Sequence, residues 1–140
     1  MSFHEALDLI LRDDHRYHKD AYVFVRDALE VALKHRKKNV KEVQRHVSAA
    51  ELLEAFQHHA LKEFGPMTVA VLDYWGVKNT DDVGNIVFNL IHAGILGKTD
   101  EDTLEAFRNG FDFQEIFIKP FLPLPRKLDN SVTEGINPLL

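Results

Sequence analysis

The chain of 140 residues contains no cysteine. That excludes disulfides, thiolate metal sites and cysteine nucleophiles together, and it gives no support for an oxidising compartment. Serine is almost missing as well: Ser2, Ser48 and Ser131 are the only three. Two stand at apparent helix starts and none lies in a Gly-x-Ser-x-Gly elbow, so no activated serine is indicated. The seven glycines are scattered, which leaves no phosphate-cradling loop. Long apolar runs are absent too. The longest near-apolar stretch, Ile86 to Leu96, spans 11 residues and is broken by Asn89 and His92. A membrane-spanning helix needs about 20 apolar residues, so no membrane crossing is expected. The start, Met1-Ser2-Phe3-His4-Glu5, has no basic region leading into an apolar one, so no signal peptide is expected either.

What is present is the balance of a folded protein: 45% hydrophobic and 28% charged residues. This length fits one domain and buries enough surface to need no metal or disulfide staple. The net charge of −5 conceals an asymmetry. Residues 1–46 carry 10 Lys/Arg against 8 Asp/Glu, whereas residues 47–140 carry 7 against 14. Overall acidity disfavours non-specific binding to nucleic acid, while a local basic patch remains open in the first half.

Apolar spacing predicts a mainly α protein of five or six helices. Ser2 and Glu5 form a capping box ahead of a helix at about 3–12. A second helix at about 20–37, capped by Asp20, turns Ala21, Phe24, Val25, Ala28 and Ala32 inward. Ser48 and Glu51 repeat the capping box before a third, in which Leu53, Phe56, Ala60, Leu61 and Phe64 form a stripe. Gly65-Pro66 ends that helix and opens the next, which runs from Met67 to Trp75 and closes at Gly76. A fifth, about 81–93, points Val83, Ile86, Val87, Leu90 and Ile91 inward and Asp81, Asp82, Asn85, Asn89 and His92 outward. The window 48–93 thus reads as a winged-helix-like three-helix unit. Residues 95–107 are open to two readings: a hairpin of 95–98 with 103–107, or a short helix starting at Thr99–Asp102. Asp112 to Ile118 suggests one last helical turn. From Lys119 on, Pro120, Pro123 and Pro125 predict an extended tail. The expected organisation is one helical domain at 1–118 and a proline-containing tail at 119–140, whose Phe121, Leu122 and Leu124 are expected to cover the domain's own core.

Four groups of residues are candidates for chemistry. His15 and His18 with Asp13 and Asp14 have loose metal-ligand spacing, with His4 or His46 as a third ligand, but a catalytic zinc wants three fixed ligands. His58 and His59 are adjacent and diverge on a helix. The plainer reading is a charged surface link, so no metal and no cofactor are assigned. The paired carboxylates Asp13-Asp14, Asp81-Asp82 and Asp100-Glu101-Asp102 fall at helix starts, where the dipole favours them. Lys34, Arg36, Lys37, Lys38, Lys41 and Arg45 place six positive charges within 12 residues, enough to contact phosphates. The fifth helix is a poor DNA reader, since no Lys or Arg lies between Lys78 and Lys98. Finally, Arg12, Asp13, Arg16, Tyr17 and His46 are a polar group that, if it converges, can hold an anion or small polar ligand. A structural ion-pair network is the plainer alternative.

Several short segments together carry a family resemblance: Arg12-Asp13, Arg16-Tyr17, Ala21-Tyr22, Phe24-Val25, His46-Val47-Ser48, Glu51-Leu52-Leu53 and Phe64-Gly65-Pro66-Met67. They continue in Trp75-Gly76-Val77, Ile86-Val87-Phe88, Asp112-Phe113 and Phe117. Over about residues 3–118 the chain resembles an uncharacterised protein family largely restricted to Verrucomicrobia and Planctomycetes. That family has a proline after its Arg-Tyr pair, where this chain has His18, so it implies no His15–His18 metal pair. The resemblance implies a bacterial, cytoplasmic protein and no particular activity. The leading expectation is a non-catalytic module that binds a protein partner or a second copy of itself. The alternative is a nucleic-acid-binding module using 34–45, and the third is a small-ligand binder or enzyme around Arg12, Asp13, Arg16, Tyr17 and His46.

Overall fold

The computed structural model describes residues 2–39, 47–97 and 104–123. Five α-helices make up most of it: α1 (Phe3–Asp13), α2 (Lys19–Asn39), α3 (Ala49–Phe64), α4 (Thr68–Tyr74) and α5 (Thr80–His92). No strand occurs among the described residues.

Local chemistry sets the helix ends. In α1 the Ser2 hydroxyl accepts the Glu5 N–H at 3.1 Å while the Glu5 carboxylate accepts the Ser2 N–H at 2.8 Å. Ser48 and Glu51 do the same for α3, at 3.1 and 2.9 Å. Each box satisfies two N–H groups that no helical carbonyl reaches. At α2 the expected cap is displaced by two residues: the imidazole Nδ1 of His18 accepts the Asp20 N–H at 3.0 Å, and Asp20 lies inside the first turn. Gly65, at φ +51°, ends α3, and a 3-10 turn over Gly65–Met67 carries the chain into α4. Buried Thr68 secures that corner by donating its hydroxyl to the Gly65 carbonyl at 2.6 Å.

α2 is the central helix and packs against α3 and α5. Its predicted inward residues Ala21, Phe24, Val25, Ala28 and Ala32 are all buried, and so is Tyr22. Phe24 anchors an aromatic cluster, edge-on to Phe56 at 5.5 Å, stacked on His59 at 4.6 Å and beside Phe64 and Trp75. Trp75 is thereby a core anchor. One connected core runs from Leu7 to Phe117.

After α5 one open alternative is decided and one expectation fails. The helices α3, α4 and α5 fill the 48–93 window, but Leu104–Phe107 is a 3-10 turn and not a hairpin strand. The reason lies on α5. Thr80 donates its hydroxyl to the Phe107 carbonyl and accepts the Gly110 N–H, which stitches this segment to the helix. Buried Phe107 then lies against Gly84, where a Cβ would come within 2.8 Å of its side chain. Thr99 and Asp102 lie outside the described residues. The expected last turn forms over Gln114–Ile118 with π-helical bonding, and Phe111, Phe113 and Phe117 pack on one another. Lys119–Phe121, expected to be extended, is instead one more 3-10 turn closed by the Leu122 N–H on the Lys119 carbonyl at 3.1 Å. Pro120 sits in its first positions, where the missing N–H costs nothing. Extended backbone begins at Leu122. Leu124 and the rest of the tail lie outside the described residues.

Candidate functional site

The polar group predicted at the α1–α2 junction is only partly assembled. Arg12 and Asp13 are exposed, and His46 lies outside the described residues. Arg16 and Tyr17 do converge, but with partners that sequence reading had turned outward. Asp14 is the hub. Its carboxylate accepts the Arg16 side chain side-on, with Nε at 3.0 Å and Nη2 at 2.7 Å, and also the Arg16 backbone N–H at 3.0 Å. Asn89 of α5 donates to the same carboxylate at 3.0 Å and to the Tyr22 hydroxyl at 2.9 Å. The Tyr17 hydroxyl donates to Asp82 at 2.5 Å and accepts from Asn85 at 2.9 Å. The Arg16 guanidinium also lies 5.1 Å from the Tyr17 ring centre.

These contacts shift the ionisation of the groups that make them. The Arg16 hydrogen bonds hold the Asp14 carboxyl well below the usual carboxylate range, and Asp14 in turn raises the Arg16 guanidinium. Burial, helped by the Asp82 carboxylate it bonds, pushes the Tyr17 phenol up to about 12. Burial also raises Tyr22. A shallow hollow of about 440 Å³ lies beside this network, bordered by Asp13, Asp14, Asn89 and His92 over Leu9 and Ile10. The carboxylate, amide and phenol groups are committed to one another. The network therefore acts as a clamp that ties the α1–α2 link to α5. Backbone contacts reinforce it: His18 N–H donates to the Trp75 carbonyl at 3.0 Å, and Gly76 passes so close to Arg16 that a Cβ would meet its carbonyl oxygen at 2.3 Å.

The other candidate residues are placed as follows. Lys34 is exposed near the end of α2. Arg36, Lys37 and Lys38 fall in the same helix, but their side chains, like Lys41 and Arg45 altogether, lie outside the described part. His18 uses Nδ1 to cap α2, and the described residues contain no group of three His, Asp or Glu placed to hold a metal ion.

A second concavity was not foreseen. It measures about 480 Å³ and lies between the α4–α5 turn and the segment 109–118. Val69, Val77, Phe111, Phe113 and Ile118 form the apolar part of its lining, and Asn79, Thr80, Asn109 and Gln114 are among the polar part. Asp73, Lys78, Asp81 and Asp112 stand around it, with Asp73 and Lys78 joined as an ion pair. Asp112 also accepts the Gln114 N–H at 2.8 Å. Exposed apolar side chains also occur in the two segments that supply its walls. Met67, just before α4, and Tyr74, at its end, bracket the lining residues Val69 and Asp73 in sequence and are 59% and 76% exposed. Beyond Ile118 the chain turns directly into Phe121 and Leu122, 45% and 55% exposed. These two side chains do not cover the protein's own core as expected, because the 3-10 turn at Pro120 carries them outward. The signal for α4 was present in the sequence: Met67, Ala70 and Tyr74 recur at helical spacing on the face opposite buried Thr68 and Leu72.

Comparison with protein-family models, with curated proteins and with solved structures finds no match for this chain. No described helix is long and apolar enough to cross a membrane.

Proposed function

We propose that this chain is a non-catalytic protein-interaction module of the bacterial cytoplasm. The observation that carries the reading is the exposure of Met67, Tyr74, Phe121 and Leu122 in the two chain segments that also supply Val69 and Ile118 to a concave groove. Single exposed apolar residues are ordinary, whereas several large ones beside a concavity are characteristic of association surfaces. Tyr and Met are also residue types enriched where proteins meet. A catalytic reading has less support. The polar clamp spends its donors and acceptors internally, and its Tyr17 is buried among them. The nucleic-acid reading rests on a basic run of which only Lys34 is placed with its side chain, so no specific observation favours it.

The test uses the full chain. Sedimentation velocity over a wide concentration range reports self-association, and panning against a displayed random-peptide library reports partner binding. The expected result is one or the other, abolished by Met67→Ser together with Leu122→Ser, with the thermal melt unchanged because both residues are exposed. A chain that stays monomeric and enriches no peptide overturns the proposal.

A further inference from the structure

Resting on that reading, we infer that the occupant of the groove is a basic peptide segment of a partner protein, with an apolar anchor side chain flanked by Lys or Arg. The anchor is argued from the lining. Val77 and Phe113 are buried at its base, and Phe111 and Ile118 are partly exposed around them, so a Leu or Phe of the partner would exchange water for apolar contact there. The flanking charge is argued from the rim. Carboxylates Asp73, Asp81 and Asp112 outnumber the one ammonium group there, Lys78. Lys78 pairs with Asp73, and the nearby Lys119 pairs with Glu115 at 2.7 Å. That leaves Asp81 without an ion-pair partner among the described residues, while Asp112, in the facing segment, lies beyond ion-pair distance of Lys119 but acts on its charge. Asp81 sits in the first turn of α5, and Asp112 opens the segment that forms the facing wall.

The extent of the surface favours a peptide over a small molecule. Large apolar side chains are also exposed at Met67 and Tyr74, close in the chain to lining residues Val69 and Asp73, and at Phe121 and Leu122, shortly after lining residue Ile118. An extended segment can bury such residues together with the groove, while a compact ligand inside the groove would leave them bare. The net negative rim then selects the sign of the segment's charge. Complementary rim charges contribute more to encounter rate and to rejection of wrong partners than to affinity.

Peptides enriched by the wild-type chain from a displayed random dodecapeptide library are the probes, synthesised with a fluorescent label and titrated by anisotropy. Enriched sequences are expected to carry Leu, Phe or another large apolar residue with Lys or Arg within a few positions. Binding should weaken about tenfold in Asp81→Asn/Asp112→Asn, by loss of two rim charges. Asn at 112 retains an oxygen for the Gln114 N–H, so the fold is expected to persist. Asp81→Asn alone, at a carboxylate with no hydrogen bond among the described residues, serves if the double variant melts early, with a loss of about threefold. Enrichment of acidic or uncharged peptides, or binding indifferent to these variants, overturns the inference and leaves the interaction reading standing. So does a homodimer dissolved by the same variants, because the occupant is then a second copy. No enrichment from a strictly monomeric chain overturns both.

Discussion

Tyr17 shows how a single side chain can join distant parts of this fold. Its ring is buried against Tyr22, and its hydroxyl bridges Asp82 and Asn85, 65 and 68 residues further along the chain. Replacing it with Phe keeps the ring and removes the bridge. Asp82 retains the Lys78 N–H at 2.8 Å, but the Asn85 amide loses its acceptor in a partly enclosed place. The expected cost is about 1–2 kcal/mol, the range for a buried group deprived of its partner. In urea it should appear as a lower midpoint with an unchanged slope. The same residue sets an alkaline limit. The folded protein holds the Tyr17 proton more tightly than the unfolded chain, so its contribution is full below pH 10.0 and is lost as pH rises from there to about 12. Wild-type stability should therefore fall over that interval, more steeply than in Tyr17→Phe, with Tyr22, raised by burial, and Lys119, raised by Glu115, adding to the slope in the same direction. An identical alkaline profile in the variant would mean that the phenol titrates freely and the clamp is not formed.

At the scale of an element, α5 is in contact on three sides, and only one of them could be read from sequence. Val83, Ile86 and Leu90 recur at helical spacing, and their burial follows from apolarity alone. The polar stripe Asp82, Asn85 and Asn89 has the same periodicity, yet it looked like a solvent face because a sequence does not distinguish a polar group facing water from one facing a distant partner. Its partners Asp14, Tyr17 and Tyr22 come from the far end of the chain, and the turn at Gly76 brings them within reach. Helix ends were legible because their chemistry is local: the Ser2–Glu5 and Ser48–Glu51 boxes and Gly65-Pro66 need only neighbours in sequence. The last turn at Gln114–Ile118 was legible as helical, but the 3-10 turn at Leu104–Phe107 was not separable from a hairpin because tertiary contacts with Thr80 and Gly84 decide it. Gly84 provides the test. A methyl group there must displace Phe107, and overpacking of this kind costs about 1–3 kcal/mol. Phe107→Ala costs about 3–5 kcal/mol through the cavity it leaves, but it also makes room for the methyl group. Chemical denaturation of both single variants and the double should give a double-mutant cost below the sum of the two by about 1 kcal/mol or more. Strict additivity would place Phe107 away from α5.

Over the whole molecule, charge separates the two binding readings. The first 46 residues carry an excess of two positive charges and the remainder an excess of seven negative ones, so the chain has a basic end and an acidic bulk. The candidate groove lies in the acidic bulk, and the basic run 34–45 lies outside it. A peptide held by apolar burial and two rim carboxylates should respond weakly to salt, since exposed pairs are screened but buried apolar area is not. A nucleic acid held by the six cations at Lys34, Arg36, Lys37, Lys38, Lys41 and Arg45 would release a counterion for nearly every contact, giving a log–log slope near −5 for duplex DNA. Titrating labelled duplex and labelled peptide side by side at rising salt therefore distinguishes them in one experiment. The expected outcome is a peptide affinity that falls only severalfold between low and physiological salt, together with duplex retention that disappears over the same interval. Reversing Lys37, Lys38 and Lys41 to Glu should abolish that low-salt duplex retention and leave the peptide affinity within about twofold, because those charges lie well away from the rim in sequence and act on it only through screened solvent. Duplex binding that persists at physiological salt and vanishes with the triple reversal would instead make the basic end of the molecule its working surface.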